Sequence, residues 1–372
     1  MAILAFASTE KATAGPQDGR VAPTVAEEGA LAAPFVSMTA GEAAALVHGR
    51  FGITGNLVRF ATEKDDTFRV DTSNQCSYVL KVSNPFEAES EIALQCALLQ
   101  HVATANPRIP ISRLLPDSDG KSLFAITDEA GQHRYVRLMT YMQGTPLDST
   151  DSSAIEREQI GEVLGQLRLA MSDFAHSADS RVLAWDVQHL PGLRPLLDSV
   201  VDPKQRARLA EGLDRFVAFG SRIERLRRQV LHNDFNKSNI VVDHGYPGFV
   251  TGIIDFGDAV RTAVAIDVST ALLAHLSSDR SVNDIFREGR DVLRGYLRVA
   301  DLNQEELELI PHLTIGRAIA RALITLWRAQ LHPNNSTYIL RNTPHGWGPI
   351  EWYLDRSAAQ VSQTLLSDIC KP

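Results

Sequence analysis

The chain has 372 residues, is 44% hydrophobic and carries a formal net charge of −8. It is long enough to bury a core of two or so packed units, and its acidic balance argues against a nucleic-acid-binding surface. The three cysteines show neither disulfide nor metal-ligand spacing, which favours a reducing, cytoplasmic compartment. We find no apolar run of membrane-spanning length and expect no membrane partner; the oligomeric state is left open.

The N-terminal part divides into a leader and a first lobe. Residues 1–35 are rich in Ala, Gly, Pro, Glu and Thr without periodicity, which predicts a disordered leader. A helix is expected to begin near Thr39, with Glu42 as its capping-box partner. We place an N-terminal, nucleotide-clamping lobe at 36–142 and a helical C-terminal lobe at 143–372.

Three strand-like stretches follow this helix, at 57–60, 67–70 and 78–82. Lys81 emerges from the third strand, where a kinase lysine grips the α- and β-phosphates of the nucleotide. A lysine on an apolar strand is otherwise usually a solvated edge residue, but its place ahead of the motif described below favours a phosphate contact. The preceding turn is not glycine-rich, so a glycine-loop phosphate cradle is not supported.

The amphipathic stretch Glu87–Val102 predicts the next helix. In kinases a helix at this point supplies a glutamate that pairs with the strand lysine. Glu87 and Glu91 are candidates for that partner, and Gln95, one turn beyond Glu91 on the same face, could take the position instead. A solvated helix face is the competing interpretation.

Further short strands at 109–115, 122–127 and 135–141 lead to a turn at Gly144-Thr145-Pro146. A hinge between two lobes would lie at this exit. The backbone groups of Thr140, Tyr141 and Met142 could pair there with the purine edge of a nucleotide, and a plain strand exit is the alternative. Beyond Ser149 the pattern is mostly helical, with helices predicted at 156–171, 203–228, 266–276, 282–299, 304–331 and about 350–369.

The stretch Val230–Asp258 carries the chemistry. His232, Asp234 and Asn239 fit the pattern H-x-D-x-x-x-x-N of a kinase catalytic loop. Two apolar runs around a Gly- and Pro-containing turn predict a hairpin that brings Asp255, of Asp-Phe-Gly, beside Asn239. Phosphoryl transfer needs a carboxylate where the acceptor hydroxyl arrives, and oxygen ligands that hold Mg²⁺ against the phosphates.

Two absences favour a small-molecule acceptor over a protein. The residue before Asp234 is Asn233 and not arginine, so a phosphorylated activation loop would have no basic anchor. No long segment ending in Ala-Pro-Glu follows Asp255. We therefore predict an α+β, two-lobed protein-kinase-like fold, with a small antiparallel-sheet N-lobe, a larger mainly helical C-lobe and a nucleotide cleft between them.

Four charged residues are candidates for binding the acceptor. Asp258 and Asp186 could pair with an ammonium group at the cleft. Arg317 and Arg321 lie one turn apart on the helix predicted at 304–331 and could hold a carboxylate bidentately. For each arginine, an ion pair with an acidic neighbour inside the helical lobe is the alternative.

The stretches Phe68–Val70, Tyr78–Val82, Leu231–Asn239 and Gly252–Asp258 carry a family likeness. The chain resembles the aminoglycoside phosphotransferase/choline kinase-like superfamily, which has the protein-kinase-like fold, and within it hydroxylysine kinase-like proteins, over about residues 50–356. The superfamily's usual glutamate is replaced at Gln95, which leaves the partner of the strand lysine in doubt.

The resemblance implies a kinase that transfers the γ-phosphoryl group of ATP or GTP to a hydroxyl of a small, hydroxylysine-like amine or amino acid. It implies Asp234 as the catalytic base, Asn239 and Asp255 as Mg²⁺ ligands and Lys81 as the phosphate clamp. Aminoglycoside, homoserine and choline-type acceptors are alternatives. A non-catalytic nucleotide-binding pseudokinase is the alternative of another class.

Overall fold

A small sheet-based lobe is followed by a larger helical lobe in the computed structural model, which describes residues 35–60, 62, 64–341, 343–367 and 369. Of the leader predicted at 1–35, all but the last residue lies outside the described residues. The fold is the two-lobed, kinase-like one that the sequence predicts.

The N-terminal lobe is built on an antiparallel sheet in the order β1-β2-β3-β6-β4, with β5 paired to β6. Helix α1 (Ala40–Phe51) begins where predicted, because the Thr39 hydroxyl accepts the backbone N–H of Glu42. The strands are β1 (Gly55–Arg59), β2 (Asp66–Thr72), β3 (Ser77–Val82), β4 (Leu114–Leu115), β5 (Phe124–Thr127) and β6 (His133–Thr140).

The two faces of this sheet differ in character. Side chains alternate along a strand, so Leu80 and Val82 of β3 join the small-lobe core together with Leu138 of β6. Lys81 therefore points to the opposite face, directly across from Arg137 on β6. The sheet register thus sets two cations side by side on the face away from that core.

Helix α2 (Glu89–Ala105) follows the sheet's third strand, but its apolar face belongs to the other lobe. Leu94, Leu98, Leu99 and Val102 are part of the large hydrophobic core of the C-terminal lobe and not of the core under the sheet. Helix α2 therefore packs as an extension of the helical lobe.

The C-terminal lobe is mainly helical, and two of its predicted helices are interrupted. The helix predicted at 203–228 ends at Val217 and is followed by a short helix and a strand. The one predicted at about 350–369 breaks after Leu354, where Ser357 and Gln360 form a new capping box. The helices are α3 (Ala154–Ala170), α4 (Pro203–Val217), α5 (Gly220–Glu224), α6 (Val264–Leu273), α7 (Arg287–Val299), α8 (Gln304–Leu331), α9 (Ser336–Leu340), α10 (Pro344–Leu354) and α11 (Ala358–Leu366).

Five short strands carry the residues around the catalytic motif. The predicted hairpin is confirmed: β9 (Ile240–Val242) pairs antiparallel with β10 (Val250–Ile253), and β7 (Thr145–Pro146) adds to β9. A second pairing, of β8 (Arg228–Leu231) with β11 (Val260–Ala263), was not predicted. It joins the strand that enters the catalytic loop to the strand that leaves the Asp-Phe-Gly segment.

Helix α8 is the central helix of the large core. By length and composition alone it could cross a membrane, so the prediction that no apolar run is long enough was wrong for this stretch. However, 89% of its apolar window is buried within the fold. Its apolar character is accounted for by packing against the surrounding helices.

Helices α3 and α7 approach most closely at Gly161 of α3 and Gly295 of α7. This close approach leads to a stability prediction. A Cβ added at Gly295 would lie 1.8 Å from the backbone oxygen of Glu158. We expect Gly295→Ala to lower the free energy of unfolding by about 1–3 kcal/mol, because the backbones would have to separate. Gly49→Ala, on α1 with open space around its Cβ, is the matched control and should stabilise by about 0.4–1 kcal/mol. Denaturant titration measures both, and equal effects would contradict the packing argument.

Candidate active site

The catalytic loop leaves β8 and is fixed by a buried histidine. The Nδ1 atom of His232 accepts the backbone N–H of Asp234 at 3.3 Å, and Nε2 donates to the carbonyl oxygen of Ile254 at 3.0 Å. The ring packs against Phe256. His232 therefore fastens the catalytic loop to the residue just before Asp255.

A second contact, between Asn233 and helix α6, holds the backbone of the catalytic loop. Asn233 is fully buried and has a left-handed φ of 62°, which only a few non-glycine residues tolerate. Its N–H donates to Oδ1 of Asp267 on α6 at 2.7 Å, and burial raises the pKa of Asp267 to about 6. Sequence reasoning missed Asp267, although a lone carboxylate within an otherwise apolar predicted helix was a usable signal.

Asp234 is oriented by two neighbours. The side-chain amide of Asn239 donates to its Oδ2 at 2.8 Å, and Nη2 of Arg317 lies 3.3 Å from its Oδ1. Burial, with Asp258 nearby, raises the pKa of Asp234 to about 7, and Arg317 opposes that rise. The carboxylate thus has a fixed direction and a proton affinity suited to a base at neutral pH.

Asn239 and Asp255 present oxygens that fit a hard divalent cation. Because the Asn239 amide nitrogen is turned to Asp234, its Oδ1 faces away and accepts no hydrogen bond from a described residue. The Asp255 carboxylate is half exposed, and Lys81, with lesser contributions from His232 and the N–H of Gly257, holds its pKa below the usual range. One carboxylate and one amide oxygen, completed by phosphates and water, suit Mg²⁺.

Within the described part of the chain, no three His, Cys, Asp or Glu side chains lie close enough to form a metal site by themselves. Asn239 and Asp255 supply two oxygens, and Mg²⁺ in phosphoryl-transfer sites usually keeps waters and substrate phosphates as its other ligands.

Lys81 is placed at the cleft, but none of its predicted helix partners pairs with it. Its Nζ lies 3.6 Å from Oδ1 of Asp255. Glu91 instead forms an ion pair with Arg181 at 3.0 Å, and Glu87 pairs with Lys64 at 3.0 Å. The expectation that Glu87 or Glu91 pairs with Lys81 is thus wrong in this structure, because other cations engage both glutamates.

Gln95 links two charges instead of pairing with Lys81. Its Oε1 accepts from Nη2 of Arg137 at 2.8 Å, and its Nε2 donates to Oε1 of Glu87 at 3.5 Å. Burial already raises the pKa of Glu87. A second carboxylate at position 95 would repel Glu87, so the neutral amide fits where the superfamily carries glutamate.

The hinge lies against the hairpin. A Cβ at Gly252 of β10 would come within 2.6 Å of Cβ of Met142, so this glycine allows the close approach. The N–H of Thr140 donates to the Arg113 carbonyl, and that of Tyr141 to the Ser77 carbonyl. Of the three predicted hinge N–H groups, only that of Met142 makes no backbone hydrogen bond to a described residue. The groups left for the predicted purine contact are therefore the Met142 N–H and the carbonyl oxygens of Thr140, Tyr141 and Met142.

Of the four predicted acceptor residues, three lie around the catalytic loop and one does not. Arg317 contacts Asp234, Asp258 acts electrostatically on the same carboxylate, and Arg321 is one helical turn from Arg317. Asp186 is fully buried: its carboxylate accepts from Gln188 and from the Thr262 hydroxyl, and it caps the 3-10 segment 187–199. Its prediction as an ammonium ligand was wrong, because its oxygens are already used inside the lobe.

The two-lobed fold, with a carboxylate, an amide oxygen and a lysine gathered around the predicted catalytic loop, is that of the kinase-like phosphotransferases. The chain belongs to the phosphotransferase enzyme family, whose model matches residues 58–304. This confirms the resemblance inferred from the sequence. The chain is therefore a small-molecule phosphotransferase that acts on an alcohol group.

Relatives and solved structures agree on this family. The chain is 24% identical to hydroxylysine kinase of Mus musculus over 87% of this chain and 92% of that protein. It is 24% identical to homoserine kinase of Agrobacterium fabrum over 64% and 70% of the two chains.

Two solved structures share the fold. A microcompartment-associated aminopropanol kinase superposes with a TM-score of 0.65 at 18% identity, over 84% of this chain and 96% of that chain. Amicoumacin kinase hAmiN, solved with AMP-PNP, Ca²⁺ and Ami, gives 0.59 at 14% identity, over 86% and 92%. Neighbours of this fold are thus known with a nucleotide and a divalent metal.

Lys81 offers a direct test of the nucleotide cleft. We expect Lys81→Met to weaken nucleotide binding about tenfold or more, because the methionine keeps the aliphatic stem but removes a charge worth about 1.5–3 kcal/mol in a charge-assisted hydrogen bond. Isothermal titration with AMP-PNP and Mg²⁺ measures the affinity. Lys121→Met, at an exposed site of the same lobe, is the control; equal affinities of both variants and wild type would return Lys81 to a solvated-edge role.

Proposed function

We propose that this enzyme transfers the γ-phosphoryl group of ATP or GTP to the hydroxyl of a small amino acid of the hydroxylysine or homoserine kind. The observation that carries the proposal is the convergence of four side chains at one end of the cleft: Asp234, Asn239, Asp255 and Lys81. The carboxylate that would take the hydroxyl proton lies beside both oxygen ligands. This is the set that phosphoryl transfer requires.

Each residue has a separate task in this proposal. Asp234, oriented by Asn239 and Arg317, accepts the proton of the acceptor hydroxyl as the oxygen attacks the γ-phosphorus. The bond from the γ-phosphorus to the β,γ-bridging oxygen breaks, and the nucleoside diphosphate leaves. Lys81 holds the donor phosphates by charge. Oδ1 of Asn239 and the carboxylate of Asp255 hold Mg²⁺, which, when bound, neutralises charge on the phosphate oxygens.

The nucleotide base is proposed to sit at the hinge. The N–H of Met142 donates to the base, and carbonyls of Thr140–Met142 accept from it. Both ATP and GTP offer a purine edge, and the hinge contacts do not separate them. A direct comparison of the two donors in the same assay identifies the one that is used.

The amino-acid character of the acceptor is supported by an unpaired arginine. Arg321 is partly buried, and its guanidinium makes no hydrogen bond or ion pair with any residue that the structure describes. Burial, together with the neighbouring charge of Arg317, lowers the pKa of Arg321 to about 10. Because a partly buried cation without a partner is costly, the site favours an anionic ligand such as a substrate carboxylate.

An acidic side chain complements this arginine. Asp258 is partly exposed next to Asp234, and its carboxylate forms neither a hydrogen bond nor an ion pair within the described chain. It is placed to bind the ammonium group of an acceptor. The Trp185 ring, over which the Arg317 guanidinium lies at 5.4 Å, is close to the same group of residues. Opposite charges near the base suit a zwitterion that carries a hydroxyl.

Steady-state kinetics with hydroxylysine, homoserine, choline and kanamycin test the proposal. Turnover of an amino acid at a kcat/KM at least about tenfold above the others supports it. If choline or kanamycin is the only acceptor that turns over, the amino-alcohol or antibiotic alternative replaces it. Absence of transfer to every acceptor, with nucleotide binding intact, supports the pseudokinase alternative.

A variant of Arg321 tests whether the enzyme binds the carboxylate of an amino-acid acceptor. We expect Arg321→Met to raise KM for homoserine about 10- to 100-fold, since a charge-assisted hydrogen bond contributes about 1.5–3 kcal/mol. KM for 3-aminopropan-1-ol, which lacks only the carboxylate, should change by less than about twofold. Arg225→Met, on an exposed site of the same lobe, is the matched control. Equal changes for both acceptors would exclude a carboxylate contact.

A further inference from the structure

Arg181 lies between helix α2 and the segment that follows Asp255, and it contacts both. Its Nη1 forms an ion pair with Oε2 of Glu91 on α2 at 3.0 Å. Its Nη2 donates to the carbonyl oxygens of Gly257 and Ala259, the second at 3.0 Å. The side chain is only 9% exposed. One guanidinium therefore joins the helix beside the nucleotide cleft to the segment that follows Asp255.

That segment has a backbone shape that needs support. Asp255 has a φ of 60°, in the left-handed region, and its own carboxylate accepts the N–H of Gly257 at 3.3 Å. A non-glycine residue in this region costs on the order of 1–3 kcal/mol and persists only where its surroundings enforce it. Arg181 binds two carbonyls within four residues after Asp255, so it is placed to enforce this turn.

The loop that carries Asp179 and Arg181 is attached to β11 without the help of Arg181. Asp179 pairs with Arg261 at 2.6 Å, and its carbonyl oxygen accepts the Arg261 N–H at 2.7 Å. These contacts already hold the loop to β11. The contacts of Arg181 with Glu91 and with the segment after Asp255 are therefore not required to keep this loop in place.

We propose that Arg181 is a positioning residue that fixes the metal-binding aspartate and ties it to helix α2, an inference that rests on the proposed role of Asp255. The guanidinium holds the backbone that follows Asp255 and is not itself one of the proposed metal ligands. Supporting contacts of this kind change metal affinity about 10- to 100-fold when they are removed. Through Glu91, the same contact links the position of α2 to the metal site.

The test measures metal binding without turnover. Electron paramagnetic resonance follows Mn²⁺ binding to the full chain in the presence of AMP-PNP. We expect Arg181→Met to weaken Mn²⁺ binding about tenfold or more. Arg261→Met, which loosens the same loop without reaching Glu91 or the two carbonyls, is the matched control and should change it by less than about threefold.

Two further variants separate positioning from folding. Glu91→Gln removes only the ion pair and should weaken Mn²⁺ binding less than Arg181→Met. Because both residues act through one contact, the double variant Glu91→Gln/Arg181→Met should bind Mn²⁺ no more weakly than Arg181→Met alone. If Arg181→Met does not fold, Arg181→Lys, which keeps the charge but cannot bind both carbonyls and Glu91 together, takes its place.

The outcomes distinguish this inference from the proposed function. Wild-type Mn²⁺ affinity in every folded Arg181 variant, with loss of affinity in Asp255→Ala, overturns the inference alone. Wild-type affinity in Asp255→Ala as well overturns the proposed metal site. Equal weakening by Arg181→Met and Arg261→Met would assign the effect to general loosening of the loop and also overturns the inference.

Discussion

Replacement of Asp234 by asparagine is expected to lower kcat at least about a hundredfold, the low end of the contribution of a positioned general base. The carboxamide keeps the shape of the side chain but does not accept the hydroxyl proton. Nucleotide affinity should stay within about twofold, because in our proposal Asp234 acts on the acceptor hydroxyl and not on the donor phosphates. Removal of the negative charge should not lower the free energy of unfolding, since burial already disfavours the ionised form of Asp234.

Rates of product formation under saturating nucleotide measure this effect, and titration with AMP-PNP measures the affinity. Asp243→Asn is the matched control: Asp243 is exposed at the hairpin turn, and an asparagine oxygen can still accept the N–H of Gly245. Wild-type turnover in Asp234→Asn would remove this residue from the role of base.

Loss of the Asp255 carboxylate should have an effect of similar or larger size. A bound metal supplies several kcal/mol of transition-state stabilisation, so Asp255→Ala is expected to lower kcat about a thousandfold or more at saturating acceptor. Binding of Mg²⁺·AMP-PNP should weaken as well. A titration of Mg²⁺ in both the rate and the binding assay checks the two parts of this expectation.

Asp258→Ala is the informative comparison for Asp255, because both carboxylates stand in the short segment Asp-Phe-Gly-Asp. In our proposal Asp258 binds the acceptor, so its loss should raise the acceptor KM and leave the Mg²⁺ dependence in place. If the Mg²⁺ dependence is lost with Asp258 and kept with Asp255, the two carboxylates have the opposite roles.

The parts of the site that lie close together in sequence could be predicted from it. The spacing from His232 to Asn239 fixes a loop of one geometry, and the apolar runs around the turn fix the hairpin that brings Asp255 back. In both cases the local pattern determines the contact, because the separation is short and the strand register leaves few alternatives. The alternation along β3 likewise places Lys81 at the cleft.

The partners of α2 could not be predicted in this way. Gln95 meets Arg137, 42 positions away, and Glu91 meets Arg181, 90 positions away. Such pairs depend on how helices pack in three dimensions, and the sequence offered several cations for each carboxylate. The burial of Asp186 was missed for the same reason, since an aspartate after a tryptophan in an irregular stretch gives no sign of which way it faces.

The attachment of α2 to the large core has a consequence for motion. Leu94, Leu98 and Val102 anchor this helix in the helical lobe, whereas the sheet that carries Lys81 has a separate core. A displacement of the sheet relative to α2 would therefore be a shear between two separately packed units. The hydrogen bond between Gln95 and Arg137 crosses this boundary, so any such displacement would have to break a buried polar contact.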